Sequence, residues 1–355
     1  MHNTRFRMRL RPQLVICEGG EGCLIGVVAR AYLHYWTGFL PPFTRWLLLD
    51  FKSDPPVPPV RQFSRALPAT VWDRTALGRH EFSGFGAEVE FRVLAERVNR
   101  GDPDAMWIGK IAYAPALACH NSHEAQGRPL FGRTELLLDA QRVDPLAGPT
   151  WFEDLGQAYR DAAPGGRLWA EFLREGTVGI EAEQTFTDVW HVFGSSGGCG
   201  AGVYIPVAAA GQHFAREFGL RVHNRAMVIT GDYHDEQRDR HEKRSVAQSC
   251  CLDLAMVQDP DLSIEVPVGP RDVIRAKGPL FNDIYVHDAV TPSLQHREYD
   301  VVASGARALA FLLASEASAE FERVRTNTRV QTPAHLPLPF SGGEAFNQLP
   351  GGGNR

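Results

Sequence analysis

At 355 residues the chain can bury a large core as one large domain or two ordinary ones, and 44% apolar with 22% charged residues is the balance of a soluble globular protein. A net charge of −5 gives no electrostatic footprint for nucleic acid. Lys52, Lys110, Lys243 and Lys277 are the only lysines and none follows a glycine turn as GK[ST], which excludes a P-loop; no apolar run reaches membrane length.

The first apolar stretch, Leu14 to Cys17, follows an arginine-rich start and is too short for a signal-peptide core. Cys17, Cys23, Cys119, Cys199, Cys250 and Cys251 form no CxxC pair, so reduced, mostly buried thiols and a cytoplasmic location are expected. Residues 13–17 have the composition of a strand, 18–22 of a glycine turn and 23–36 of a helix. A helix that starts just after such a turn aims unpaired N–H groups and the positive end of its dipole into the loop, where glycine lets an anion approach the backbone. Residues 45–51 read as a buried strand ending in Asp50, and an acid there suits a ribose hydroxyl. Prolines at 55, 56, 58 and 59 mark a loop, and residues 53–105 read as a partly helical insertion, with 86–99 its clearest helix.

Residues 106–119 are strand-like, 127–140 a loop entering a helix, and 156–176 a helix interrupted at Pro164 to Gly166. His120, His123 and Glu124 lack a ligand spacing, as do His234, Asp235 and His241, so no metal centre is expected. The central stretch repeats the opening logic: a β-prone run at 189–193, five glycines in the nine residues 194–202, and a helix over 203–218. Two such units at the carboxyl edge of one parallel sheet build a nucleotide cleft. A strand and loop at 221–235, a helix at 236–256 and strands at 262–269 and 280–289 follow. The longest apolar-periodic helix spans 297–324, and a Pro/Gly-rich tail runs over 331–355.

The sequence GGCGAG at 197–202 resembles the GGGTGTG or GGTGSG signature of the tubulin/FtsZ superfamily, and Gly19 to Gly26 can be laid on that family's first nucleotide loop. The resemblance covers roughly residues 10–325 and identifies the chain as similar to a divergent bacterial tubulin-like protein. It implies an α/β fold, a Rossmann-like mostly parallel sheet with helices on both faces, over residues 1–330. It also implies GTP or GDP as ligand with Mg2+ as companion ion. The residues that would line the nucleotide are Gly19, Gly20, Glu21, Gly22, Asp50, Gly127, Arg128, Gly194, Ser195, Ser196, Gly197, Gly198, Cys199, Gly200, Ala201 and Gly202. Arg133 would lie with Gly127 and Arg128 near the γ-phosphate, Asp300 would read the guanine base, and Glu320 would act on a neighbouring subunit's nucleotide.

The chain also departs from the family. Cys199 and Ala201 replace hydroxyl residues, and Glu21 would repel a polyphosphate unless it holds a metal or turns outward. The acids after the long helix form no clear NxDxxD pattern, and residues 331–355 are expected to be a tail or linker in place of the family's second α/β domain. The expectation is therefore a guanine-nucleotide-binding protein with slow or no hydrolysis, acting in a filament or multiprotein assembly through self-association or other subunits. On the long helix, Val302, Leu309, Leu312 and Leu313 would face the sheet, whereas Phe311, Ala314 and Phe321 would need cover. The alternatives are a degenerate scaffold that binds no nucleotide and a Rossmann-type oxidoreductase, whose GxGxxG lacks its third glycine in the run from Gly20 to Ile25.

Overall fold

The computed structural model describes residues 12–52, 54–85, 91–103, 105–106, 129–142, 148–174, 186–230, 237–268, 272–287 and 298–314. The elements follow the chain as β1 (Gln13–Glu18), α1 (Gly19–Thr37), β2 (Thr44–Asp50), α2 (Ala69–Arg74), β3 (Phe82–Gly84) and α3 (Phe91–Asn99). Next come α4 (Pro129–Asp139), α5 (Trp151–Ala162), α6 (Arg167–Arg174), β4 (Thr187–Gly194), α7 (Gly200–Glu217), β5 (Val222–Ile229) and α8 (Gln237–Met256). A hairpin of β6 (Ser263–Pro267) and β7 (Val273–Lys277), then β8 (Asp283–His287) and α9 (Glu298–Ala314), completes the described chain.

Six strands form one sheet in the order β3-β2-β1-β4-β5-β8, every neighbouring pair parallel. Its strands are apolar on both faces because helices cover both. Val15, Cys17, Trp46, Leu48, Trp190, Val192, Met227 and Ile229 face a cluster completed by α1, α2 and α9. Leu14, Ile16, Leu47, Leu49, Val189, Phe193, Ala226 and Val228 face the other cluster, with α4, α5 and α7. This is an α/β fold of Rossmann-like architecture, with the order reversing between β1 and β4, where such sheets place their ligands.

Local chemistry explains several boundaries. Thr150 and Glu153 form a reciprocal capping box that starts α5, and Gly38, at φ +85°, closes α1 in the left-handed region. Pro206 lies inside α7 and cannot donate to the carbonyl of Gly202, one turn back; that oxygen instead accepts a 3.1 Å hydrogen bond from Arg133 Nε of α4. At the amino edge of the sheet buried Asp188 and Arg225 and half-buried Asp283 and His223 form a polar string, including a 2.7 Å His223–Asp283 contact, with the Arg225 guanidinium 5.1 Å over the Trp190 ring.

Three features differ from the sequence reading. Residues 19–22 are not a turn but the first turn of α1, entered straight from β1 because Gly19 takes φ +74°. The stretch 53–105 contributes β3, an edge strand of only three residues paired with β2. The strand read at 262–269 belongs to an antiparallel hairpin outside the main sheet, and its partner β7 carried no expectation. The run 106–119, the extension of the last helix to 324 and the tail 331–355 lie wholly or mostly outside the described residues. Among the described residues no helix is long and apolar enough to cross a membrane.

On α9, Val302, Leu309 and Leu313 are buried, Leu312 and Ala314 half-buried and Phe311 exposed; Phe321 is outside the described residues. The end of α9 meets the amino edge of the sheet, where Gln13 Nε2 donates to Leu313 O at 3.1 Å. Nearer its start, Ser304 Oγ lies 2.9 Å from His287 Nε2 at the end of β8, so α9 begins toward the carboxyl edge.

Candidate functional site

At the switch point β1 and β4 lie side by side, Glu18 against Phe193 in register, and their carboxyl ends feed the two glycine segments. The starts of α1 and α7 touch here: a β-carbon on Gly19 would stand 2.5 Å from Gly200 N, and one on Gly200 would stand 3.0 Å from Glu18 O. Only residues without side chains allow this approach. Deeper in, a β-carbon on Gly22 would overlap Val192 O and one on Gly26 would lie 2.5 Å from Cys17 Sγ. Gly22 and Gly26 share one face of α1 and seat it on the sheet, the packing task that the third glycine of a dinucleotide fingerprint performs.

The central loop is covered from the other side by α4. A β-carbon on Gly132 would lie 2.7 Å from Gly198 O, and one on Gly202 would overlap Pro129 O. Ser195, Ser196, Gly198, Cys199, Gly200, Ala201 and Gly202 are accordingly buried, and Gly197 is half-exposed with open space beside it. Ser195 Oγ is fully buried and has no hydrogen-bond partner among the described residues.

Asp50 ends β2 at the rim. Its Oδ1 accepts the Phe51 N–H at 2.8 Å, and a β-carbon on Gly20, itself exposed, would lie 3.7 Å from Oδ2. The Cys199 thiol donates to the Asp50 carboxyl and accepts from Phe51 N–H; burial pushes the thiol far above its ordinary range, with the Asp50 charge second. Cys199 and Cys23 are thus protonated and inert toward oxidants that need a thiolate. The Glu21 carboxylate lies over Gly194, whose β-carbon would overlap Oε2 and stand 2.9 Å from Cδ.

The structure therefore brings together Gly19, Gly20, Glu21, Gly22, Asp50 and the loop from Gly194 to Gly202. Gly127, Arg128 and Glu320 lie outside the described residues, as does the side chain of Asp300, which sits in the first turn of α9. Arg133 is directed to Gly202 O, the backbone of the central loop's helix. Glu21 lies over Gly194, so of the two conditions under which it would not repel a polyphosphate, turning outward is not met. Among the described residues no group of three or more His, Cys, Asp or Glu is placed to hold a metal.

One pair escaped the sequence reading. Glu18 and His191, fully buried on β1 and β4, meet at 2.7 Å between Oε1 and Nδ1. Burial raises the Glu18 carboxyl above its usual range, with the His191 charge and hydrogen bond pulling it back. The signal in the sequence was a single histidine within an otherwise apolar strand, which by itself names no partner. A groove of about 660 Å3 lined by His213, Arg216, Glu217, Val273 and Arg275 lies at the far end of α7 and shares no residue with the crevice.

The fold and crevice place the protein among Rossmann-like α/β proteins, with two glycine-lined helix starts at the switch point. No protein-family model and no curated protein matches its sequence.

Proposed function

We propose that the crevice binds a guanine nucleotide, its phosphates over the starts of α1 and α7, and that the protein is a tubulin/FtsZ-like nucleotide-binding subunit. The observation that carries the reading is the convergence of the segments Gly19 to Gly22 and Gly194 to Gly202 at the reversal of a parallel sheet. Two helix N-termini bring the positive ends of their dipoles to one place, the N–H groups of Ala201, Gly202 and Val203 being taken by Gly197 O and Cys199 O, and the buried, unpartnered Ser195 hydroxyl adds a polar group in the same loop. Asp50 at the rim has the position of a ribose ligand. The GGCGAG sequence at 197–202 and Asp300 in the first turn of α9 favour the guanine-specific reading over a dinucleotide oxidoreductase.

Hydrolysis is slow or absent in the isolated chain. Cys199 spends its thiol on Asp50 and Ala201 has no donor, and each missing placed donor is worth roughly 10²–10³ in rate in comparable sites. Mg2+ is the nucleotide's companion ion in this reading, and among the described residues no cluster of His, Cys, Asp or Glu is placed to hold it. The protein acts with further subunits, by self-association or in a multiprotein assembly, a proposal supported by exposed Phe311 on the helix that would need cover. Light scattering over micromolar concentrations tests self-association, which a strict monomer contradicts.

A specific observation favours a second reading, a scaffold that binds no nucleotide. The central loop is roofed by α4 and its serines are buried. Purification without added nucleotide, followed by chromatographic identification of anything released on denaturation, separates the two. Released GDP or GTP supports the first reading. Empty protein that stays empty after incubation with either nucleotide supports the second.

A further inference from the structure

We propose that Glu21 is a built-in anionic gate, resting on the reading of the crevice as a nucleotide site. The residue occupies the first turn of α1, where the helix dipole favours an acid. Its side chain runs across the end of β4: a β-carbon on Gly194 would overlap Oε2, stand 2.9 Å from Cδ and stand 3.5 Å from Cβ. The three nearest atoms to that position all belong to Glu21, so Gly194 is glycine for space and not for backbone conformation, its φ lying outside the left-handed region.

The carboxylate thus fills the seat that an incoming phosphate would take, over the residue that precedes Ser195, whose hydroxyl is buried. The buried Asp50 carboxyl lies near Gly20, so a second acid stands close to the start of α1. Like charges at contact range in a partly desolvated site repel far more strongly than in water. A nucleotide binds only when Glu21 swings out of the seat, and the closed form is held by the protein's own anion.

The test is calorimetric titration of GDP, and separately of inorganic pyrophosphate, into the full chain, into Glu21→Gln and into the double variant Glu21→Gln/Gly194→Ala. Circular dichroism and melting confirm that each variant folds. Glutamine keeps the shape, removes the charge and offers an N–H, so Glu21→Gln should bind roughly tenfold tighter or better. The added methyl of Gly194→Ala stands where the end of the residue 21 side chain lies, displaces it and fills the seat itself, and should cancel that gain. Wild-type binding of GDP that Glu21→Gln leaves unchanged or weakens overturns the gate and keeps the nucleotide reading. Pyrophosphate binding gained by Glu21→Gln with no GDP binding in any form keeps the gate and overturns the nucleotide reading. No binding of either probe to any form overturns both.

Discussion

Glu18 and His191 set the chemistry of the sheet beneath the crevice, because each is the other's hydrogen-bond partner in an apolar surround. Removing one side of a fully buried pair strands the other, so Glu18→Ala should cost on the order of 3 kcal/mol in urea unfolding; a loss below about 1 kcal/mol would show that the pair is not closed in solution. Burial, the largest influence, raises the Glu18 carboxyl in the folded state, so the folded protein keeps a proton that the unfolded chain gives up. The groups around it are His191, Tyr159 of α5, Cys17 and Cys23, Cys199 of the central loop and Cys250 of α8. Its contribution is full below the unfolded carboxylate range and is lost as pH rises through the raised folded value. Glu18→Gln should flatten stability against pH in that window, measured by urea unfolding at a series of pH values; an unchanged slope assigns the dependence elsewhere. At the glycines the contrast is steric. Gly22→Ala meets Val192 O and should cost about 2 kcal/mol by thermal melting, whereas Gly197→Ala meets nothing within 4 Å and should leave the melting temperature unchanged. Equal effects of the two would contradict the close approach of α1 to β4.

Among the elements, α4 and α7 are tied by a bond that exists because of a proline. Pro206 cannot serve Gly202 O, and Arg133 does so from the neighbouring helix. Arg133→Ala should destabilise the fold by about 1–2 kcal/mol. In a Pro206→Ala background, where residue 206 supplies its own N–H, the same change should cost far less; additive losses in the double-mutant cycle would remove Gly202 O as the link. Elements differ in how far they can be read from residues alone. The strand, glycine run and helix at 187–217 were legible because glycine density, β-branched residues and alanine-rich periodicity change abruptly there. The start of α1 was not, since composition at 18–22 reads as a turn, and only the contact with α7 selects a helix that begins at once. Neither were β3, whose Phe-Ser-Gly carries no alternation, and β7, which falls between the strands read at 262–269 and 280–289.

Across the whole molecule the candidate site was legible in outline and hidden in detail. Asp50 and the glycine segments could be placed at one sheet edge, because strand ends followed by glycine and a helix imply it. The Glu18–His191 pair joins residues 173 apart in sequence, and the inward turn of Glu21 depends on space that Gly194 leaves on another strand. Such contacts are decided by packing, which local pattern does not carry. Two glycine-lined helix starts at the switch point underlie the proposed nucleotide site, and titration of GDP or GTP into wild-type protein with magnesium decides whether it is one. Binding is expected in the micromolar-to-millimolar range, with preference over ATP and with loss of binding in a folded Gly198→Val variant. No heat with either guanine nucleotide at concentrations on the order of millimolar would contradict it.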